Sequence, residues 1–401
     1  MKILLADTLP GAAVDRLEAA GDEVVAKGDL NADTLGEELA GVEVLVVRST
    51  KVTAEALEHA DELALIVRAG AGTNTIDTAR AAELGIFVCN VPGMNALAVA
   101  ELAMGLLIAV DRHIATATAD LRSGKWNKKA YSKAEGLFGR TLGIVGLGDI
   151  GIAMAVRASA FGIDVIAEHK PGRSATSVDR AEQAGVRFVE SLDELLGAAD
   201  IVSLHVPGGP DTLGMVDAAF LAKMNDNAIL LNTSRGDVVD EAALIEAMDT
   251  RGIRAGLDVF ADEPGSGTAD FSSTLAQHPS VVATHHVGAS TEQAQDAVAT
   301  GTIDTIDTYR SGSVLNCVNM EAVPSRAATL SIRHQDRVGV LAAVLAILRG
   351  EGLNVSTMSN KVFAGAKAAV ATIDVAAVPN AEILERIKAH EHVINVSVTL
   401  A

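Results

Sequence analysis

Cysteine is almost absent: the chain has two, Cys89 and Cys317, neither in a CxxC nor beside histidines at ligand spacing. A structural zinc site and a disulfide framework both need clustered ligands, so neither is expected, and no metal is. Basic side chains are also scarce, 32 against 52 acidic ones, and the net charge of -20 repels phosphate backbones and anionic lipid. Nucleic acid and membrane surfaces are therefore not expected partners, and an anionic ligand has to meet a local basic pocket. No uninterrupted apolar run of about 20 residues is present to span a bilayer. The opening "MKILLAD" reads as a short strand without the apolar core or cleavage pattern of a leader, which suits the cytoplasm. Aromatics make up only 3%, whereas the 49% of hydrophobic residues are rich in Ala and Val and interrupted by 36 glycines, the balance of helices packed on parallel strands. At roughly 100 to 200 residues per domain, 401 residues predict two or three domains, each with its own core.

The apolar runs "MKILLAD", "VEVLVVRS" and "LALIVRAG" alternate with helical patterns such as "GAAVDRLEAAG" and "TAEALEHA", which predicts a parallel sheet. One long helical pattern from Asn95 to Arg122 ends before Gly124 and Trp126 and carries the chain into a second domain. There "RTLGIVG", "DVIAE", "DIVSLHVP", "AILLNTS", "AGLDVF" and "VVATHH" form a better-defined doubly wound series. The helical "TEQAQDAVATGTIDTIDTYR" then returns to the first domain, and Pro324 marks a linker. The expected organisation is an α/β chain with a discontinuous domain over 1–95 completed by 287–318. A Rossmann-type domain follows over 96–286, a linker over 319–326, and a βαββαβ α+β unit over 327–401.

"GLGDIG" follows the apolar strand "LGIV" and opens a helix. Gly146, Gly148 and Gly151 supply a tight turn and a close backbone approach to a pyrophosphate. Asp149 and Ile150 stand at the helix N-terminus, whose free amides favour negative charge. A dinucleotide is the expected cofactor. The acid that such units place about 20 residues later, to hold the ribose hydroxyls, should fall at His169. Two readings stay open. Glu168, one residue earlier, turns to the ribose and selects NAD; or His169, Lys170 and Arg173 accept the extra phosphate of NADP. A solvated loop tip is the bland alternative for that basic cluster.

Three later segments, "LLNTSRGDVVDEAAL", "GLDVFADEP" and "HHVGAS", each lie at a strand end or the loop after it. In that order they resemble the signature of the D-isomer-specific 2-hydroxyacid dehydrogenases. "VVRSTKVT", "VRAGAGTNTID", "VPGMNALAVAELAMGLL" and "LRSGKWNKKAY" are similar to the phosphoglycerate dehydrogenase branch, over residues 1 to about 318. The resemblance implies a catalytic set of Arg235, Glu263 and His286. The chemistry agrees: oxidising a 2-hydroxy acid by hydride transfer needs a base near neutral pH, and an imidazole serves. A carboxylate on the far ring nitrogen orients it and favours imidazolium. An arginine fork holds the substrate carboxylate and polarises the reacting oxygen. His285 stands where the family usually has proline.

By resemblance Asp258 holds the nicotinamide carboxamide, and His205, Val206, Pro207, Thr212, Thr233, Ser234 and Gly288 border the cofactor. Gly70 and Asn95 receive the substrate carboxylate. Arg48, Ser49 and Arg68 bind a substrate phosphate, assisted by Lys128 or Lys129 from a partner subunit. Without that pocket the same triad serves a hydroxypyruvate or glyoxylate reductase, and a nucleotide-sensing corepressor reuses the fold without catalysis. The C-terminal unit resembles an ACT domain. His334 and Asp336 before a helix, with Asn354 at the next strand, imply an amino-acid effector such as serine between paired units. Pairing of that kind implies an even oligomer, a homodimer or homotetramer.

Overall fold

Runs such as "VLVV", "IVSL" and "ILLN" carry apolar side chains on both pleats, and each forms a strand buried on both faces. The computed structural model describes residues 1–264, 268–321 and 326–401, so Pro324 in the expected linker lies outside the described residues. The chain divides into two units, Met1–Asn319 and Met320–Ala401. No helix among the described residues is long and apolar enough to cross a membrane.

The first unit holds two parallel sheets. One comprises β1 (Lys2–Leu5), β2 (Glu23–Ala26), β3 (Val44–Val47), β4 (Leu65–Arg68) and β5 (Phe87–Asn90), in the order β2-β1-β3-β4-β5. The other comprises β6 (Thr141–Val145), β7 (Asp164–Glu168), β8 (Val186–Val189), β9 (Ile201–Leu204), β10 (Ile229–Asn232), β11 (Arg254–Leu257) and β12 (Val281–Ala283). Its order, β12-β11-β10-β9-β6-β7-β8, reverses between β6 and β9. That switch point opens a crevice at the carboxyl ends of the strands, where a doubly wound sheet binds its ligand. The helix Glu292–Arg310 sends Ala299, Ile303 and Ile306 into the core that holds Ile3, Leu5, Val46 and Val67, so the first lobe is built from both ends of the unit.

β2, β5 and β8 are absent from the sequence reading. All three are four-residue edge strands, partly exposed, with no clean alternation to reveal them. The helix expected from Asn95 to Arg122 is two helices, Ala96–Asp111 and Ile114–Arg122. His113 between them takes a left-handed backbone (φ 53°). The first helix is largely buried against the second sheet, while the second buries no residue. Buried Asp111 marks the break, its carboxylate accepting from the Gly136 amide (3.2 Å) and Arg140 (3.4 Å).

The second unit follows the expected order of six elements. Its strands are β13 (Ala328–Gln335), β14 (Val355–Val362), β15 (Ala368–Val375) and β16 (Val393–Leu400), antiparallel in the order β14-β15-β13-β16. The helices Val340–Gly350 and Ala381–Lys388 cover one face, packing Val344, Leu348, Ile383 and Ile387 on Leu330, Ile332 and Ile373.

Candidate active site

Asn232, the last residue of β10, shapes the loop that follows. Its buried amide oxygen accepts from the Ser234 amide (3.0 Å) and hydroxyl (2.7 Å), and its nitrogen donates to the Arg235 carbonyl (2.9 Å). This local ring of bonds is the kind an Asn side chain offers a turn, and it points Arg235 into the crevice between the lobes. A Cβ on Gly72 would fall 2.6 Å from Arg235 Nη2, and one on Gly208 2.9 Å from its Cγ. Loops of both lobes therefore close on this side chain, one at its guanidinium and the other at its stem.

The β11 end supplies Asp258, 1% exposed. Its Oδ1 accepts from the Val287 amide (2.9 Å) and the Thr284 hydroxyl (2.5 Å), and its Oδ2 from the Gly288 amide (2.8 Å). Both oxygens are thus engaged in ordering the loop after β12. That loop presents His286 with a left-handed backbone (φ 52°) and its amide on the Asp258 carbonyl (2.8 Å). His286 Nδ1 lies 2.6 Å from Glu263 Oε2, while Glu263 Oε1 accepts from the Phe260 amide (2.9 Å). The hydrogen bond to Glu263 raises the His286 pKa against the opposing effect of partial burial. For Glu263, partial burial pulls upward, but the bonds from His286 and the Phe260 amide prevail and leave its pKa lowered. The imidazole therefore keeps one orientation, with Nε2 left for chemistry, and favours its charged form. His285 is exposed.

A cleft of about 400 Å³ is lined by Arg48, Arg68, Gly70 and Asn95 together with the acidic Glu292 and Asp296. Arg68, at the end of β4, has its pKa pulled down to about 10, first by burial and then by the charges of Arg235 and Arg48, with Asp7 opposing. Its buried Nε has no protein partner. Arg48 and Arg235 thus bring two further positive charges close to Arg68 in a chain of net charge -20. Asp7, missed in the sequence, holds this region: its Oδ2 accepts the amides of Arg48 (2.7 Å), Ser49 (3.1 Å) and Thr50 (3.1 Å). Its position just after β1, at a strand's carboxyl end, is the signal that marks it. Ser49 therefore contributes an amide already in use. Lys128 and Lys129 lie in an exposed loop and do not line the cleft.

At the switch point, a Cβ on Gly146 (φ 104°) would meet the His205 carbonyl oxygen at 2.3 Å, and one on Gly151 the Gly146 carbonyl oxygen at 2.1 Å. Gly148, capping the helix Asp149–Ala160, faces open space. That combination fits a dinucleotide: two glycines forced by the turn, and one left bare where a pyrophosphate approaches. The Thr233 hydroxyl, buried without a protein partner, is a further group the cofactor would satisfy. Ile150 is half-buried on the first helical turn, and Asp149 pairs with Arg180 (2.9 Å). His205 bonds Ser203 (2.9 Å), and burial pushes it down to about 4, so it is neutral at pH 7. Val206 packs on the core, and Thr212 donates to the Pro207 carbonyl (2.7 Å), bracing the loop after β9. At the end of β7, Glu168 faces Lys170 (3.9 Å), while His169 stands edge-on to Phe188 and Arg173 lies 5.9 Å above the same ring. The basic cluster is thus divided, Lys170 toward Glu168 and the other two against an aromatic face.

In the second unit His334 is buried, with Nδ1 on the Gln335 carbonyl (2.7 Å) and Nε2 on Asn360 (3.2 Å). Gln335 pairs with Ala368 at one end of β15, whereas Val355, next to Asn354, pairs with Val375 at the other. One chain therefore does not bring His334 and Asp336 together with Asn354; the length of the sheet separates them.

Residues 104–288 match the D-isomer specific 2-hydroxyacid dehydrogenase, NAD binding domain. The chain is 41% identical to a D-3-phosphoglycerate dehydrogenase of Methanocaldococcus jannaschii over 81% of its own length and 60% of that protein's. It is 44% identical to a hydroxypyruvate reductase of Thermotoga maritima over 69% of its own length and 88% of that protein's. Among solved structures, D-lactate dehydrogenase from Aquifex aeolicus complexed with NAD and lactic acid superposes with a TM-score of 0.64 at 25% identity, over 78% of this chain and 96% of that one. The guanidinium, the histidine-carboxylate pair and the glycine turn stand on an NAD-binding lobe, and the chain belongs to the D-isomer specific 2-hydroxyacid dehydrogenase family.

Proposed function

We propose that this protein interconverts D-3-phosphoglycerate and 3-phosphohydroxypyruvate with NAD, the oxidation that leads toward L-serine. The observation that carries the reading is the pair Arg48 and Arg68 in one cleft, near enough to Arg235 for its charge to act on Arg68. One guanidinium suffices for the carboxylate of a simple hydroxy acid, and two more match a phosphate. The D-3-phosphoglycerate dehydrogenase relative supports it, although this chain spans only 60% of that protein's length.

In this reading Gly70 and Asn95 receive the carboxylate, and Arg235 holds it and the reacting oxygen. His286 Nε2, opposite the nitrogen fixed by Glu263, takes the hydroxyl proton on oxidation and returns it on reduction. NAD supplies the hydride acceptor, and the bare face of Gly148 with the Thr233 hydroxyl holds it. Glu168 reads the ribose and favours NAD.

The C-terminal unit serves as an ACT-like sensor. A serine-type effector would sit between two copies, His334 and Asp336 from one and Asn354 from the other, since one chain keeps them apart. Leu121, Trp126, Phe138 and Phe161 are each exposed, and burying them in a homodimer or homotetramer would carry Lys128 or Lys129 to a neighbour's cleft.

A second reading, hydroxypyruvate reduction, has weaker support, from the Thermotoga maritima relative of which this chain covers 88%. The test is the loss of NADH absorbance on adding 3-phosphohydroxypyruvate or hydroxypyruvate. Much faster turnover of the phosphorylated acid is expected; faster turnover of hydroxypyruvate establishes the second reading instead. Repeating the assay with serine tests the sensor, whose absence is established by an unchanged rate.

A further inference from the structure

The two cysteines are remote in sequence but meet in the fold. Cys89 is on β5, fully buried in the core of the first lobe, and Cys317 is half-buried on the segment that runs antiparallel along the free edge of that strand. The Asn90 amide donates to the Asn316 carbonyl (3.2 Å) and the Val318 amide to the Val88 carbonyl (2.8 Å). These bonds flank the cysteines, which therefore oppose each other at a non-hydrogen-bonded position of an antiparallel pair. At such positions the Cα atoms approach to about 4.5 Å and the side chains are closest. Disulfides span Cα separations of about 4.4–6.8 Å. Asn319 keeps the register, accepting from the Val88 amide (2.9 Å) and donating to the Ile86 carbonyl (2.8 Å).

We propose that Cys89 and Cys317 form a reversible disulfide that fastens the end of the first unit to the edge of its sheet. The oxidant is a peroxide. The Cys317 thiol reacts with hydrogen peroxide to give a sulfenic acid and one water; the Cys89 sulfur then attacks that sulfur, the S–O bond breaks, and a second water leaves. Two thiols lose two electrons and two protons in all, and a dithiol reverses the step.

The order of events follows from exposure. Burial, and then the neighbouring Cys317, push the Cys89 thiol up to about 12, so it is not the sulfur that a dissolved peroxide meets first. Cys317 is the more accessible one, its thiol donating to Asn319 (3.2 Å). Closure is intramolecular between groups already in contact, and proximity offsets the small thiolate fraction of Cys89. Neither sulfur lines the substrate cleft, so the bond acts on the edge of the sheet and not on the chemistry.

The experiment is to expose the full chain to hydrogen peroxide, quench with an alkylating reagent and map it by mass spectrometry without reduction. The expected result is a loss of two hydrogens, a linked peptide pair containing Cys89 and Cys317, and recovery of both thiols with dithiothreitol. Hydrogen exchange at the Val88, Asn90 and Val318 amides should slow by about tenfold in the oxidised form. Cys317→Ser should abolish the linkage; if that variant fails to fold, the thiol count of the wild type, falling from two to none, decides alone. Irreversible oxidation at Cys317, links between chains, or two free thiols after exposure would each overturn the proposal.

Discussion

His286 Nδ1 and Glu263 Oε2 are 2.6 Å apart, and the other oxygen of that carboxylate holds the Phe260 amide. The raised His286 and the lowered Glu263 both favour the ion pair, imidazolium beside carboxylate. His286→Asn is expected to lower kcat by roughly 10²- to 10⁴-fold with little change in NADH binding, measured by steady-state kinetics and fluorescence titration. Glu263→Gln is expected to move the His286 titration down, toward its ordinary value. Oxidation, which needs neutral imidazole, is lost in wild type as pH falls through the raised value; reduction, which needs imidazolium, is lost as pH rises through it. In Glu263→Gln both limbs should shift to lower pH, and coincident profiles for the two enzymes would remove the carboxylate from the mechanism.

The same pair enters stability. The raised His286 contributes stability fully present below its ordinary value of 6.5 and lost as pH rises through the raised one. The lowered Glu263 contributes stability present above 4.5 and lost as pH falls through the lowered one. The difference in Tm between wild type and Glu263→Gln should therefore be greatest between those values. His286 is half exposed, so the difference should be small.

Asn232 positions Arg235 without touching substrate. Asn232→Ala leaves the Ser234 and Arg235 backbone groups without their buried partner, an expected cost of about 1–3 kcal/mol in unfolding free energy. It should also raise KM more than it lowers kcat. Arg235→Lys keeps the charge and loses the fork, so kcat/KM should fall roughly 10- to 100-fold. A variant at Arg235 with unchanged kcat/KM for the hydroxy acid would place the substrate carboxylate elsewhere.

The glycine turn separates folding from binding. Gly146→Ala drives a methyl into the His205 carbonyl and should destabilise the lobe outright, whereas Gly148→Ala meets nothing and should keep the wild-type Tm. NADH fluorescence titration should nevertheless find Gly148→Ala weakened, because the methyl occupies the face a pyrophosphate approaches. Equal affinity in that variant would contradict the placement.

Removing the acid at the end of β7 tests which group reads the ribose. Glu168→Ser should raise the kcat/KM ratio of NADPH to NADH by about tenfold or more, through loss of a repelling carboxylate beside Lys170. An unchanged ratio assigns selectivity to the His169 and Arg173 side of the Phe188 ring.

Much of this architecture is legible in the sequence because buried parallel strands are short, apolar and regularly spaced, as in "VLVV" and "ILLN". Glycine at 146, 148 and 151 speaks through local geometry, whereas Arg235, Glu263 and His286 stand out only through the family resemblance of the segments that carry them. What the sequence hides is set by long-range contact. Asp7 gathers three amides from residues 48–50 only once β1 and β3 are neighbours. Cys89 meets Cys317 only when the chain returns to the edge of β5. The break at His113 is a single backbone conformation inside a pattern that is helical on both sides.

The most direct measurement is the ratio of kcat/KM for 3-phosphohydroxypyruvate to that for hydroxypyruvate, in wild type and in Arg48→Gln and Arg68→Gln. The account predicts a ratio far above one in wild type, falling by roughly tenfold or more in each variant while hydroxypyruvate reduction is little changed, the loss of a charge-assisted bond to phosphate. A ratio near one, or one that both variants leave untouched, contradicts the phosphate site and leaves a dehydrogenase of unphosphorylated hydroxy acids.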